Sequence, residues 1–380
     1  MRIVFFVHSL LSDWNHGNAH FLRGVATELI SRGHEVLVCE PRDAWSLRNL
    51  LADHGEEAVA GFHAAYPMLA SRRYDPAVLD LDRELDGADL VIVHEWNDPG
   101  LVRRIGRHRR HGGTWRLLFH DTHHRSATDP AAMAAYDLAD YDGVLAFGAV
   151  VRDLYLKNGW AQRAWTWHEA ADTRVFYPRH PQGAEDRQGD LVWIGNWGDE
   201  ERTAELHEFL IDPVRELGLV ARVHGVRYPE AGRRALAAAG IDYAGWLPNH
   251  EVPRTFARYA VTVHVPRRPY VAALPGIPTI RPFEALACGI PLISAPWDDA
   301  EELFRPGQDF LVARDGEEMK LLLRDLLHDR EMAARIARSG RETILDRHTC
   351  AHRVDELLNV DRQLRGASLR AGASLGVGML

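Results

Sequence analysis

Apolar and polar positions alternate between two periods along nearly the whole chain. Residues 2–7, RIVFFV, form a short apolar run that ends in a polar loop, the mark of a buried strand. Phe21, Leu22, Val25, Ala26, Leu29 and Ile30 then recur at spacings of three and four, one face of a helix, and Gly33 supplies a stop. EVLVC (35–39) is the next strand, so the chain opens strand–helix–strand. DLVIVH (89–94), WRLLFH (115–120), DGVLAF (142–147) and RAWTWH (163–168) continue the series, with VRDLYLKNG (151–159) helical between the last two.

The run YPRHPQGAEDRQGD (177–190) carries Pro, Gly and charge but no apolar period, and reads as a linker. The alternation restarts with LVWIGN (191–196). A helix over 201–218 follows, then strands at 220–225, 261–265, 291–295 and 309–313, with helices at 281–289 and 317–329 among them. From 330 to about 362 the pattern is helical, and the Gly- and Ser-rich end reads as frayed. The expected architecture is α/β: two doubly wound, Rossmann-like domains, 1–176 and 191–362, joined by the linker 177–190 and followed by a flexible tail, 363–380. Ligands of such sheets bind beyond the carboxyl ends of the strands, which directs attention to a cleft between the domains.

Composition narrows the function classes. The formal net charge of −9 argues against a general nucleic-acid binder. Cys39, Cys288 and Cys350 are too scattered for a disulfide framework or a zinc site and fit buried thiols of a reducing compartment. No run of 18 apolar residues occurs and the first residues lack signal-peptide features, so the expectation is a cytoplasmic protein without a transmembrane segment. GxxxxGK[ST], GxGxxG after either first strand, HExxH and GxSxG are all absent, which lowers the case for kinases, dehydrogenases, zinc proteases and α/β-hydrolases.

The most informative stretch is PGIPTIRPFEALACGIPLISA (275–295), a Pro/Gly loop leading into a short helix and then a strand. A helix start facing a cleft is an anion site. Glu284, within its first turn, either grips two ribose hydroxyls or only complements the helix dipole. Arg267 and Arg268 directly follow a strand and offer cations for a diphosphate leaving group, or else form a solvated pair; Arg227 is a weaker candidate of the same kind. Asn196 either contacts phosphate or caps the next helix. Trp246 follows a short strand, where an aromatic is more often core. In the first half, Gly17 and Asn18 open a helix whose start can approach an anion, and His120 and Asp121 stand at a strand end where a general base belongs. His8, His94–Glu95 and His168–Glu169 are further strand-end polar groups. His123 and His124 with Asp121 make a weak metal-ligand set, and no metal is expected.

The segment 263–294, with the stretches 191–210, 224–230 and 243–253, resembles the C-terminal half of GT-B glycosyltransferases, and most closely the spore-maturation-type (CgeB-like) group. The loop Trp14–His20 is similar to the loop after that group's first strand. The resemblance implies a nucleotide-sugar site in the second domain and a variable acceptor in the first. Glu284 matches the second Glu of the retaining motif Glu, seven residues, Glu. The first falls on Gly276, a departure that puts the retaining course and the sugar contact in question. It further implies that Trp246 or Leu247 lines the base pocket and that the Thr279 and Ile280 N–H groups face the diphosphate. The expected activity is retaining transfer of a sugar, with a UDP-linked donor favoured, no other cofactor and no metal, to a small-molecule, glycan or protein acceptor. The rivals are a nucleotide-sugar epimerase on the same fold and a catalytically silent nucleotide-binding relative. Oligomeric state is not legible.

Overall fold

The computed structural model describes residues 1–179 and 187–376, with side chains through residue 366. The first sheet holds β1 (Arg2–Phe6), β2 (Glu35–Pro41), β3 (Ser71–Tyr74), β4 (Leu90–His94), β5 (Arg116–Asp121), β6 (Gly143–Ala146) and β7 (Ala164–Thr166). Their order is β3-β2-β1-β4-β5-β6-β7 and every pair is parallel. The second holds β8 (Gly189–Ile194), β9 (Ala221–His224), β10 (Asp242–Tyr243), β11 (Tyr259–His264), β12 (Leu292–Ser294) and β13 (Leu311–Val312). Its order is β10-β9-β8-β11-β12-β13, again parallel throughout. Helices cover both faces of such sheets, so their central strands are apolar runs without alternation; Ile3–Phe6 and Leu90–Val93 are almost wholly buried.

Strand order reverses between β1 and β4 in one sheet and between β8 and β11 in the other. The loops after β1 and β8 therefore leave at the two switch points, where open α/β sheets bind ligands.

The strands legible as apolar runs form where the pattern puts them. Several elements were not legible in the apolar pattern, β10 and the helix Pro99–Arg110 among them. β3 is SRRY, an edge strand with two exposed arginines, and the helix Trp45–Ala65 is interrupted by Gly55 at φ 66°. The single helix expected over 201–218 is two short α-helical segments around a π turn at His207–Ile211, with Pro213 directly after it. Residues 180–186 of the expected linker lie outside the described residues.

The C-terminal helix Cys350–Gly376 extends well into the segment expected to be a loose tail, and residues 377–380 lie outside the described residues. It returns to the first domain, where Val354, Leu357 and Leu364 join the core of Phe21, Leu22 and Val25. Gly24 makes this approach possible: a Cβ there would sit 2.4 Å from Cys350 Sγ. The chain thus crosses between the domains twice, which the periodicity of 330–362 alone does not reveal.

Candidate functional site

The two switch-point loops face each other across a cleft of about 450 Å³, within the range of small-molecule sites. Asn15–Asn18 and Glu169 line it from the first domain, with Trp45 and Trp96; Trp193–Asn196, Arg202 and Arg267 line it from the second. A second cavity of about 80 Å³ opens beside it, bounded by Gly225, Trp246, Leu247, Asn249 and Glu284. Asn15, Gly17, Asn196 and Arg281 border both.

Arg202 dominates the electrostatics. It sits just before the helical segment that follows β8, and its guanidinium lies 5.1 Å above the Trp193 ring. It donates to the carbonyls of Val265 (2.7 Å) and Asn196 (2.5 Å). No carboxylate pairs with it among the described residues. Burial, with Arg267 and Arg281 nearby, lowers its pKa to about 10, so it is still cationic at neutral pH. A partly buried cation whose partners are only carbonyls has capacity left for an anion. Arg267 lines the same wall and is held by Glu201 at 2.5 Å; Arg227 borders the cleft with Asp199 at 2.9 Å.

Thr279 opens the helix Ile280–Cys288 at φ 61°, ψ −178°, where a β-branched residue is a true outlier. Holding it there costs about 1–3 kcal/mol, a strain typical of ligand clamps. With Ile280 it borders the cleft, so the helix start and its unbonded N–H groups face the cavity. Gly17 meets Ile280 from the opposite wall, where a Cβ would lie 3.5 Å from its Cγ2.

Glu284 is fully buried on the same helix, at the floor of the smaller cavity. Its Oε1 accepts from Asn249 Nδ2 (2.8 Å) and from His20 Nδ1 (2.9 Å), and its Oε2 is paired with Arg281. His20 Nε2 accepts the Asp172 N–H at 2.8 Å, so its proton is on Nδ1 and the ring is a neutral donor. Burial pushes the Glu284 carboxyl up, but Arg281, His20 and Asn249 outweigh it and hold it below its ordinary value. Glu284 lies beyond the first turn of its helix, which corrects its reading as a dipole residue: it ties a helix of the first domain to the second. Glu284→Ala is expected to cost about 3–5 kcal/mol of stability, because the buried His20 and Asn249 and the partly buried Arg281 lose their acceptor. Denaturant unfolding reads this, and a loss below about 1 kcal/mol would show that the network does not carry it.

Other expected site residues are placed as follows. Trp246 and Leu247 do border the smaller cavity, with Trp246 Nε1 donating to Asp13 Oδ1 at 2.9 Å. Asn196 borders both cavities and caps no helix; its Oδ1 accepts the Val226 N–H at 2.9 Å and its amide donates to Asn15. Gly17 and Asn18 border the cleft.

Four expectations need correction. Arg268 points out of the cleft, pairing with Glu205 at 2.9 Å, because it begins a helix that turns it to solvent. Gly276 borders neither cavity, and its N–H donates to the Asp298 carbonyl at 2.6 Å. His120 and Asp121 do not reach the cleft. His120 packs between Phe21, His94 and Trp167, and burial pushes its pKa far down. Asp121 accepts from the His123 N–H (3.0 Å) and the Tyr155 hydroxyl (2.9 Å), with burial raising its pKa to about 7. Both sit at a strand end, as expected, but Trp167 and the 122–128 segment close over them. Among the described residues no group of three or more His, Cys, Asp or Glu could hold a metal. The three cysteines are free and buried.

Arg202, Arg281, His20 and Asn249 were missed as site residues, and the sequence marks Glu169 only as one of several strand-end polar groups. Glu169 lies three residues past the end of β7, and that position was the available signal; Arg202 stands eight residues past β8. His20 and Asn249 gave none, since their role depends on contacts across some 264 and 35 residues of chain with Glu284.

Residues 202–359 match the family model described as glycosyl transferase-like. No curated protein matches the chain in sequence. Solved structures share the whole fold. Sucrose-phosphate synthase from Thermosynechococcus elongatus is 16% identical, with 97% of this chain and 100% of that one covered and a TM-score of 0.62. Anabaena HepE in complex with UDP and glucose is 15% identical over 95% and 99% of the two chains, TM-score 0.66. An α-glucosyltransferase in complex with UDP and a 13-mer DNA is 12% identical over 95% and 99%, TM-score 0.68. The fold is GT-B, and the stretch 202–359 of the second half is similar to the glycosyl transferase-like family.

Proposed function

We propose that the protein moves a sugar from a nucleotide-diphosphate donor, UDP-linked by preference, to an acceptor on the first domain, with no resident metal. The observation that carries this reading is Arg202, a partly buried guanidinium without a carboxylate partner among the described residues, in a cleft between two switch points. A diphosphate leaving group gains negative charge as the glycosidic bond breaks, and Arg202 with Arg267 and the Thr279–Ile280 helix start would meet that charge where a divalent ion otherwise does. The smaller cavity takes the nucleoside: Trp246 and Leu247 offer the base a face. Glu284, already engaged, has lone pairs left for ribose hydroxyls.

Two of the similar structures hold UDP by their descriptions, which favours uridine here. The resemblance of 263–294 supports grouping the chain with the spore-maturation-type relatives. With a net charge of −9 we take the acceptor to be a small molecule, glycan or protein rather than nucleic acid. The retaining course that the resemblance carries has no carboxylate at Gly276 to work with.

The test is calorimetric titration with UDP, GDP, dTDP and ADP, each against its nucleoside, in the presence of a chelator. We expect UDP to bind tightest and at least tenfold tighter than uridine, since the diphosphate meets the arginines. Equal affinity for UDP and uridine, or no binding by any diphosphate, would end the reading.

A further inference from the structure

Two carboxylates border the main cleft, Glu169 and Asp199. Asp199 is half exposed on the second domain and already paired with Arg227. Glu169 is different. It follows β7 on the first domain and is 7% exposed, and no arginine, lysine or histidine pairs with it among the described residues. Its backbone is firmly held: the Glu169 carbonyl accepts from Arg353 Nε at 3.4 Å, and Ala171, two residues on, is bridged to Thr349 of the last helical region. A buried acid that faces a cavity without a counter-charge is poorly explained as structure, because it costs desolvation and returns no pair.

Resting on the transfer reading above, we propose that Glu169 is the general base of the reaction and that transfer inverts the anomeric carbon. The arginines that meet the diphosphate, Arg202 and Arg267, belong to the second domain, and Glu169 faces them from the first. An acceptor hydroxyl between Glu169 and the donor sugar gives its proton to the Glu169 carboxylate as its oxygen bonds to C1. The C1–O bond to the diphosphate breaks, and the electron pair leaves on the diphosphate oxygen, beside Arg202. No further reactant is needed.

The other cleft groups serve less well. Burial lowers the basicity of His16 strongly and takes His123 down to about 2, so neither holds a proton near neutral pH. Burial raises Glu169 to about 8, which makes its carboxylate the stronger base. The groups that face it come from four elements: Asn18 on the loop after β1, Glu95 after β4, and Arg281 and Glu284 on the helix Ile280–Cys288, with Tyr270 on the helix Arg268–Ala273. Asn18 and Arg281 favour its charged form; Glu95 and Glu284 oppose it.

The experiment compares the wild type with Glu169→Gln and Glu169→Asp. UDP release is followed from UDP-glucose, UDP-galactose and UDP-N-acetylglucosamine, all α-linked, with methanol as a surrogate acceptor, and the methyl glycoside is read by NMR. UDP affinity is measured in parallel and reports folding of each variant. We expect a β-methyl glycoside and a wild-type rate that climbs with pH up to about 8 and then levels, since the base must be ionised. Glu169→Gln should lower kcat by 100-fold or more, flatten the pH profile and leave UDP affinity within threefold. Glu169→Asp should restore part of the rate together with the pH limb. An α-product, or a Glu169→Gln rate within tenfold of wild type, overturns the proposal while the transfer reading stands. A wild type that binds UDP but turns over none of the three donors overturns the transfer reading, and the base with it.

Discussion

Replacing Arg202 with methionine is expected to weaken UDP binding about 100-fold, or ~2.7 kcal/mol. Methionine keeps the apolar stem over Trp193 and removes only the guanidinium. The lost interaction is charge-assisted and lies in a buried cleft, where such bonds are roughly twice as strong as neutral ones. The carbonyls of Asn196 and Val265 lose their donor as well, so a stability loss of about 1–3 kcal/mol accompanies the binding loss. Arg268→Ala is the matched control. Its side chain is 58% exposed and paired outside the cleft, so UDP affinity should change less than twofold. Calorimetry on the two variants separates a specific cation from general positive charge. Equal effects would show that the anion does not sit against Arg202.

The second large effect concerns Gly276, where the resemblance places a glutamate. Gly276→Glu is expected to destabilise the protein by about 3 kcal/mol rather than restore a function. The backbone there has φ +87°, which costs any other residue at least about 1 kcal/mol. A Cβ would lie 2.7 Å from Glu301 Cγ. Glu301 cannot simply withdraw, because its Oε1 accepts the Ala149 N–H at 2.8 Å and its Oε2 pairs with His168 at 3.1 Å. It is the Glu301 side chain that fills the space beside residue 276, and it fastens the second domain to the first. Combining Gly276→Glu with Glu301→Ala should recover part of the loss in denaturant unfolding. If Gly276→Glu is as stable as wild type, the loop 274–279 does not hold this conformation in solution.

The link from Glu301 to Ala149 and His168, and those from Glu284 to His20 and from Asp13 to Trp246, all join the two domains beside the cleft. They set the distance between the arginine wall and Glu169. Substitutions in them should therefore alter catalysis as well as stability, since a base must sit within hydrogen-bond reach of the proton it takes.

Much of the scaffold was legible in residue order alone. Eleven of the strands could be read because a parallel sheet covered on both faces leaves a continuous apolar run, as at Ile3–Phe6 and Leu90–Val93. β3 could not: an edge strand buries too little to need one. The stretch 275–295 could be read as an anion-binding helix start because Gly, Pro and a following apolar helix are local signals. That the loop at Trp246 and Leu247 belongs with the site was suggested only by resemblance, and both residues border the smaller cavity.

What the chain alone left open is which strand-end groups share a cavity. His120 and Glu169 have the same local signature, a polar residue just past an apolar strand. Tertiary contacts separate them: Phe21 and Trp167 close over His120, while Glu169 is left facing the cleft. Arg267 and Arg268 are neighbours in sequence, and only the turn into a helix decides that one faces the cleft and the other water. Strand and helix are written in spacing, because hydrophobic burial acts on a local period. The site is an encounter between residues as far apart as His20 and Glu284, and no local period encodes which of them will meet.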